Sequence, residues 1–129
     1  MAVRKLEHVG IMVKSIEVSI AFYEDVIGLK HLENAGHIDE QIKLAFLAFP
    51  DQSQTELELV EGYTGELANE GRVHHVAFAV DDVEQEYARI QALNLPELDT
   101  EITTLPNGSR YFFFSGPDGE RLEFFQSTR

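Results

Sequence analysis

Apolar and polar positions alternate along residues 6–13. Val9, Ile11 and Val13 fall on one side and His8, Gly10 and Met12 on the other, the period of a half-buried strand. The period then lengthens. Ile16, Ile20, Tyr23 and Ile27 recur at spacings of four, three and four, which marks one face of a helix, with Ser15 placed to cap its start and Gly28 to end it. Residues 29–35 predict a short strand, 34–40 a polar loop, 42–49 a strongly apolar strand and 50–54 a turn. Residues 56–60 predict the next strand, with Glu56, Glu58 and Val60 on one side. The order is β-α-β-β-β.

The same order returns. Residues 73–80 predict a strand with His75, Ala77 and Ala79 on one side, and Asp81 or Asp82 suits the cap of a helix whose apolar stripe is Val83, Tyr87, Ile90 and Leu93. Asn94 and Pro96 end that helix. A weak strand at 99–105, an Asn107-Gly108 turn, a buried strand at 111–114, a Pro117-Asp118-Gly119 turn and a final strand at 122–125 complete the second half. This predicts an α+β fold: two tandem βαβββ modules forming a curved mixed sheet with the helices outside. The whole, 1–129, is one domain, with module 1 at about 1–62, a linker at about 63–71 and module 2 at about 72–129.

The repeat extends to chemistry. HVGIMVKSIE, starting at His8, and HVAFAVDDVE, starting at His75, align residue by residue, and the Leu-Glu-Leu around Glu58 is echoed by the Leu-Glu-Phe around Glu123. A helix must cover the Val9, Ile11, Val13 side, so both histidines point to the opposite, concave side, where Gly10, Ala77 and Ala79 leave room. Glu58 and Glu123 likewise oppose apolar neighbours. A carboxylate on such a face is unfavourable unless it is paired or ligates a cation, and two imidazoles with two carboxylates make a divalent-metal ligand set. Glu56 shares the face of Glu58 and is the alternative ligand, the Leu-Glu-Leu echo favouring Glu58. His74 is expected on the face opposite His75, and His31 and His37 in a short strand or loops.

Composition narrows the reading. There is no cysteine, so a metal must be held by nitrogen and oxygen. The formal charge of −13 repels nucleic acid and suits solubility, while an anionic small substrate needs a local cation, for which Arg110 and Arg121 lie nearest Glu123. No window approaches a membrane span and no signal-like segment opens the chain, so the expectation is a cytoplasmic protein without membrane or nucleic-acid partners.

With these residues the repeat resembles the vicinal oxygen chelate superfamily, which includes glyoxalase I, methylmalonyl-CoA epimerase, extradiol dioxygenases and fosfomycin and bleomycin resistance proteins. HVGIMVKSIEVSIAFYEDVIGL looks like the family's opening strand and helix, and FFFSGPDGERLEFFQ like its closing hairpin. The resemblance implies one divalent metal (nickel, cobalt, zinc or manganese), six-coordinate with two open positions, on His8, Glu58, His75 and Glu123. It implies proton abstraction next to a carbonyl through a metal-bound enediolate, with Glu123 carrying the proton, and a homodimer acting on a small molecule.

Two reactions fit. The first is a lactoylglutathione lyase-like (glyoxalase I) isomerisation of a thiol hemithioacetal. Met12 and Gly62 stand where bacterial glyoxalase I usually carries an arginine and an asparagine that bind glutathione, which leaves the thiol open. The second is epimerisation of an acyl-CoA thioester of the methylmalonyl type. DEQIKLAFL, residues 39–47, resembles the epimerase segment holding a second catalytic acid, here Glu40. An extradiol dioxygenase needs only two histidines and one carboxylate, and a metal-free binding or resistance protein needs no ligand set at all. The glyoxalase-like reading comes first.

Overall fold

The computed structural model describes residues 4–63, 67 and 71–129. The chain divides into two compact units, Met1–Leu67 and Ala68–Arg129. Most of the expected linker, at 64–66 and 68–70, lies outside the described residues.

Unit 1 runs β1 (His8–Val13), α1 (Ile16–Phe22), a π-helical extension (Tyr23–Ile27), β2 (Lys30–Ala35), β3 (Lys43–Phe49) and β4 (Gln52–Glu61). Unit 2 runs β5 (Val76–Ala79), α2 (Val83–Ala92), β6 (Thr103–Thr104), β7 (Arg110–Ser115) and β8 (Arg121–Gln126). Each unit forms its own four-stranded sheet, in the orders β1-β4-β3-β2 and β5-β8-β7-β6. In both, the first and last strands of the unit pair in parallel and the remaining ladders are antiparallel. The units are therefore two βαβββ modules with mixed sheets, an α+β fold.

The helix side of each sheet is the core. In unit 1, Val13, Ala45, Leu47, Leu57 and Leu59 are buried, with Ile16 and Tyr23 brought down from the helix. In unit 2, Phe112, Phe114, Leu122 and Phe124 are buried with Val83 and Ile90 of α2. The three phenylalanines contact one another at ring separations of 4.9 to 6.0 Å, an aromatic core that adds to the area buried.

The helix starts are held twice. Ser15 Oγ accepts from Val18 N, and Asp82 Oδ1 accepts from Gln85 N, the expected caps. A second acceptor reaches each helix from the end of the last strand: Glu61 Oε1 takes the N–H of Ile16 at 2.8 Å, and Gln126 Oε1 that of Val83 at 2.7 Å. These residues follow Glu58 and Glu123 by three positions and so face the helix side. They tie helix to sheet and satisfy first-turn donors that have no partner within the helix.

Several expectations are corrected. The first helix does not stay α to its end: the Tyr23 carbonyl accepts from both Gly28 N and Leu29 N, and Gly28 takes φ +94°. This wider turn keeps Tyr23 and Leu29 both in the core. Strand β4 begins at Gln52, inside the expected turn, because Gln52 already pairs with Phe49. The strand expected at 73–80 starts only at Val76, opposite Leu122, so His74 and His75 precede the ladder. The strand expected at 99–105 shrinks to Thr103–Thr104. Asp99 bonds Phe113 through its own N–H and its carboxylate, taking the place of ladder pairing there. Leu93 leaves the apolar stripe and is exposed, since α2 ends at Ala92 and Asn94 turns the chain with φ +54°.

Replacing Gln126 or Glu61 by alanine should lower stability by about 1–2 kcal/mol each, the usual effect of losing a helix-start acceptor. Glu61→Gln, which keeps the acceptor oxygen, should stay within about 0.5 kcal/mol of the parent. Urea denaturation reads both, and an unchanged midpoint for Gln126→Ala would remove the tether from the account.

Candidate active site

Parallel pairing of first and last strands decides which side chains meet. In unit 1, Gly10 lies opposite Glu58, and in unit 2, Ala77 lies opposite Glu123. Each glutamate thus stands across from the residue two after a histidine. Strand side chains two apart share a face, so His8 reaches diagonally to its glutamate, and His75, one residue ahead of its ladder, also faces its own. His8 Nε2 lies 3.8 Å from Glu58 Oε1, and His75 Nε2 lies 3.3 Å from Glu123 Oε1. Glu56, the alternative ligand, sits directly opposite His8, but Glu58 is the carboxylate that forms the ion pair with Nε2.

The four predicted ligands therefore occur as two His–Glu pairs, one in each unit. Among the described residues, no three or more His, Asp or Glu side chains gather into one metal-holding group.

The pairs share a third member that the sequence pattern did not single out. Phe46 pairs with Glu58 across the β3–β4 ladder and meets the His8 ring edge-on at 6.3 Å. Phe113 pairs with Glu123 across the β7–β8 ladder and meets His75 edge-on at 5.0 Å. Each phenylalanine backs its imidazole on the helix-free face. The signal was present: an aromatic lies twelve residues before Glu58 and ten before Glu123. Runs of apolar residues at both places hid which one mattered.

The other ring nitrogen of each histidine is engaged by the residue just before it. His8 Nδ1 lies 2.9 Å from Glu7 Oε1, and His75 Nδ1 lies 2.9 Å from His74 Nδ1. This corrects the expectation for His74. It does not point away from His75; both rings lie against Phe113, because alternation does not apply ahead of the ladder.

The two glutamates differ in environment. The Glu123 side chain is 8% exposed and that of Glu58 is 18% exposed. Burial raises the Glu123 pKa above the ordinary carboxylate value, with the His75 charge opposing. The Glu7 hydrogen bond raises the His8 pKa above the usual imidazole value, and the charge of Glu58 adds to it. Space differs as well. A Cβ at Gly10 would come to 3.4 Å from Glu58 Oε1, whereas unit 2 carries Ala77 at the same place.

Glu40 lies elsewhere. It sits in the turn before β3 and lines a cavity of about 370 Å³ with Ile16, Glu17, Asn34 and Lys43, and neither His8 nor Glu58 lines that cavity. Gly62, where an asparagine was the expected comparison, has φ +117°, and a side chain there would overlap the Gln41 carbonyl oxygen. The close approach of the two segments leaves no room for asparagine.

Residues 5–124 match the family model described as the Glyoxalase/Bleomycin resistance protein/Dioxygenase superfamily. The chain belongs to this superfamily. One relative within it, the uncharacterized protein YwbC of Bacillus subtilis, is 50% identical over 123 residues, covering 95% of this chain and 98% of its own. The lactoylglutathione lyase of Haemophilus influenzae is 30% identical over 125 residues, covering 93% and 90%. Among solved structures, the trypanothione-dependent glyoxalase I of Leishmania major superposes with a TM-score of 0.78 at 28% identity, covering 96% of this chain and 87% of that one. No helix among the described residues is long and apolar enough to cross a membrane.

The raised Glu123 pKa sets a pH dependence. A carboxyl whose pKa is higher folded than unfolded contributes stability below its unfolded pKa and loses it as pH rises through the folded value. In chelator-treated protein, Glu123→Gln should therefore raise the melting temperature by a few degrees at pH 7, about 1 kcal/mol. That gain should vanish below about pH 4, where the parent carboxyl is protonated. A gain that persists unchanged at pH 3.5 would point to packing and not to charge.

Proposed function

We propose that the protein is a divalent-metal-dependent isomerase of the glyoxalase I type, converting a thiol hemithioacetal of a 2-oxoaldehyde to a thioester. The observation that carries this is the repeated pair: a histidine Nε2 facing a glutamate oxygen, at His8–Glu58 and again at His75–Glu123. Relatives named lactoylglutathione lyase, matched along nearly the whole chain, support the same reaction class.

The donor chemistry suits nickel, cobalt, zinc or manganese. A histidine ligand typically donates its other ring N–H to a hydrogen-bond partner, which orients the ring and leaves the remaining nitrogen for the metal. Glu7 provides such a partner at His8, and His74 at His75. We assign His8, Glu58, His75 and Glu123 as the ligands. When bound, the cation supplies Lewis acidity toward the substrate carbonyl oxygen.

The chain's own residues handle the proton. Glu123 is the more buried of the two glutamates, and burial raises its pKa, which strengthens it as a base once ionised. It takes the proton from the carbon bearing oxygen and sulfur and returns it to the adjacent carbon, while the hydroxyl proton of the first carbon passes to the oxygen of the second. One carboxylate suffices, since both carbons present the same side of the substrate. Epimerisation of an acyl-CoA thioester needs a second acid on the opposite side. Its candidate, Glu40, lines a cavity without either ligand of its own unit. That placement favours the isomerase.

Two measurements test the proposal. In metal titrations, His75→Ala should lose most of the bound cation, and His74→Ala and Glu7→Gln should each weaken affinity by roughly 10–100-fold. Full affinity in His75→Ala would refute the ligand assignment. In assays of methylglyoxal with a panel of thiols, Glu123→Gln should fall by about 10²–10⁴-fold with metal partly retained. Glu40→Gln should remain active. Turnover of a methylmalonyl thioester by the parent, abolished in Glu40→Gln, would establish the epimerase in its place.

A further inference from the structure

We propose that Asp99 is a positioning residue for the His75–Glu123 pair, acting through Phe113. Its bearing on metal binding rests on the ligand assignment above; the positioning itself does not. His75 stands one residue ahead of the β5–β8 ladder, outside the pairing that fixes Val76 and the residues after it. Its ring is placed by side chains: Glu123 Oε1 at 3.3 Å, His74 Nδ1 at 2.9 Å and the Phe113 ring at a centroid separation of 5.0 Å. Phe113 meets both histidine rings and lies opposite Glu123 in the β7–β8 ladder, so its own position governs the group.

Asp99 holds Phe113 from the outer edge of β7. Thr103 pairs with Tyr111, and a regular ladder continued from there would set Glu101 against Phe113. Asp99 stands there instead. Its N–H donates to the Phe113 carbonyl at 2.9 Å, and its Oδ2 accepts from the Phe113 N–H at 2.9 Å. In an ordinary antiparallel pair that second acceptor is a backbone carbonyl. Here the Asp99 carbonyl is taken by the Tyr87 hydroxyl of α2, at 2.6 Å, and the carboxylate replaces it. A charged acceptor makes the stronger bond to an amide N–H. Asp99 is thereby tied to α2 on one side and to β7 on the other.

The direction of these bonds decides how Phe113 meets Glu123. Both backbone groups of Phe113 point outward to Asp99. Toward β8, Phe113 and Glu123 therefore form the non-hydrogen-bonded kind of pair, in which Cα atoms are about 4.5 Å apart and side chains stand closest. The ring is set beside the Glu123 carboxylate and against the His75 imidazole. Unit 1 needs no such substitute. Phe46 pairs with Glu33 on one side and Glu58 on the other, and His8 lies within its ladder. Asp99 supplies in unit 2 the restraint that β2 supplies in unit 1.

Proton NMR of the metal-free protein tests this through the nuclear Overhauser contact between the ring protons of His75 and Phe113. The parent should show the contact, and Asp99→Ala should lose most of it. Asp99→Asn, which keeps an acceptor oxygen, should retain it. Tyr87→Phe, which releases Asp99 from α2 and leaves β7 untouched, should weaken it to an intermediate degree. Gln126→Ala, which loosens the same unit at its helix start, should keep it in full, and so separates positioning from general destabilisation. A contact that is absent in the parent, persists in Asp99→Ala or falls equally in Gln126→Ala would overturn the proposal. If Asp99→Ala fails to fold, Tyr87→Phe decides, an undiminished contact counting against it. Cobalt(II) titration is scored separately. Asp99→Ala should bind about 10-fold more weakly than the parent, and Asp99→Asn should recover most of that loss. Parent-like affinity in Asp99→Ala counts against the proposal. A parent that binds no cobalt ends the ligand assignment, and the ring contact still decides the role of Asp99.

Discussion

When the first strand of a βαβββ unit pairs in parallel with its last, residues some fifty positions apart in sequence become neighbours in a ladder. The crossover helix and two intervening strands make that pairing possible. In this chain it sets Gly10 against Glu58 and Ala77 against Glu123, and both His–Glu pairs follow from it. A register shift of one residue would send each glutamate to the helix side, into a packed apolar layer. Leu57, Leu59, Leu122 and Phe124 prevent the shift, because each would be forced out of that layer. The apolar residues beside each glutamate therefore fix where its carboxylate points.

The two units solve one problem with different side chains. Unit 1 has the more open pair, a glycine beneath the carboxylate and a glutamate behind the imidazole. Unit 2 has the more buried pair, with Ala77, His74 and the ring of Phe113 around it. A histidine flanked by carboxylates is held toward its charged form, and a carboxyl shielded from water toward its neutral form. The base assignment rests on this asymmetry.

Much of the fold was legible because its elements obey simple periods. Strands with alternating Val9, Ile11 and Val13, helix caps at Ser15 and Asp82, and turns at Asn107-Gly108 and Pro117-Asp118-Gly119 are local signals, and they gave the element order twice over. The candidate residues emerged because duplication made four separate positions agree. Long-range effects stayed hidden. Nothing local says that Gln126 reaches the start of α2, that Asp99 replaces a stretch of strand, or that Tyr23 and Leu29 need a widened turn to share one core. Phe113 was lost among the four consecutive aromatics from Tyr111 to Phe114, two of which face each side of the sheet. His74 was misplaced because alternation was extended past the end of its ladder.

The pairing of first strand with last also bears on ancestry. One unit is closed on itself: its helix, core and His–Glu pair all come from a single stretch of about sixty residues. A chain of half this length would carry one such His–Glu pair. Fusion of two copies frees each half to drift under separate selection. Ala77 where unit 1 has Gly10, Gln126 where it has Glu61 and Arg121 where it has Glu56 are the kind of difference that two separately encoded halves can carry.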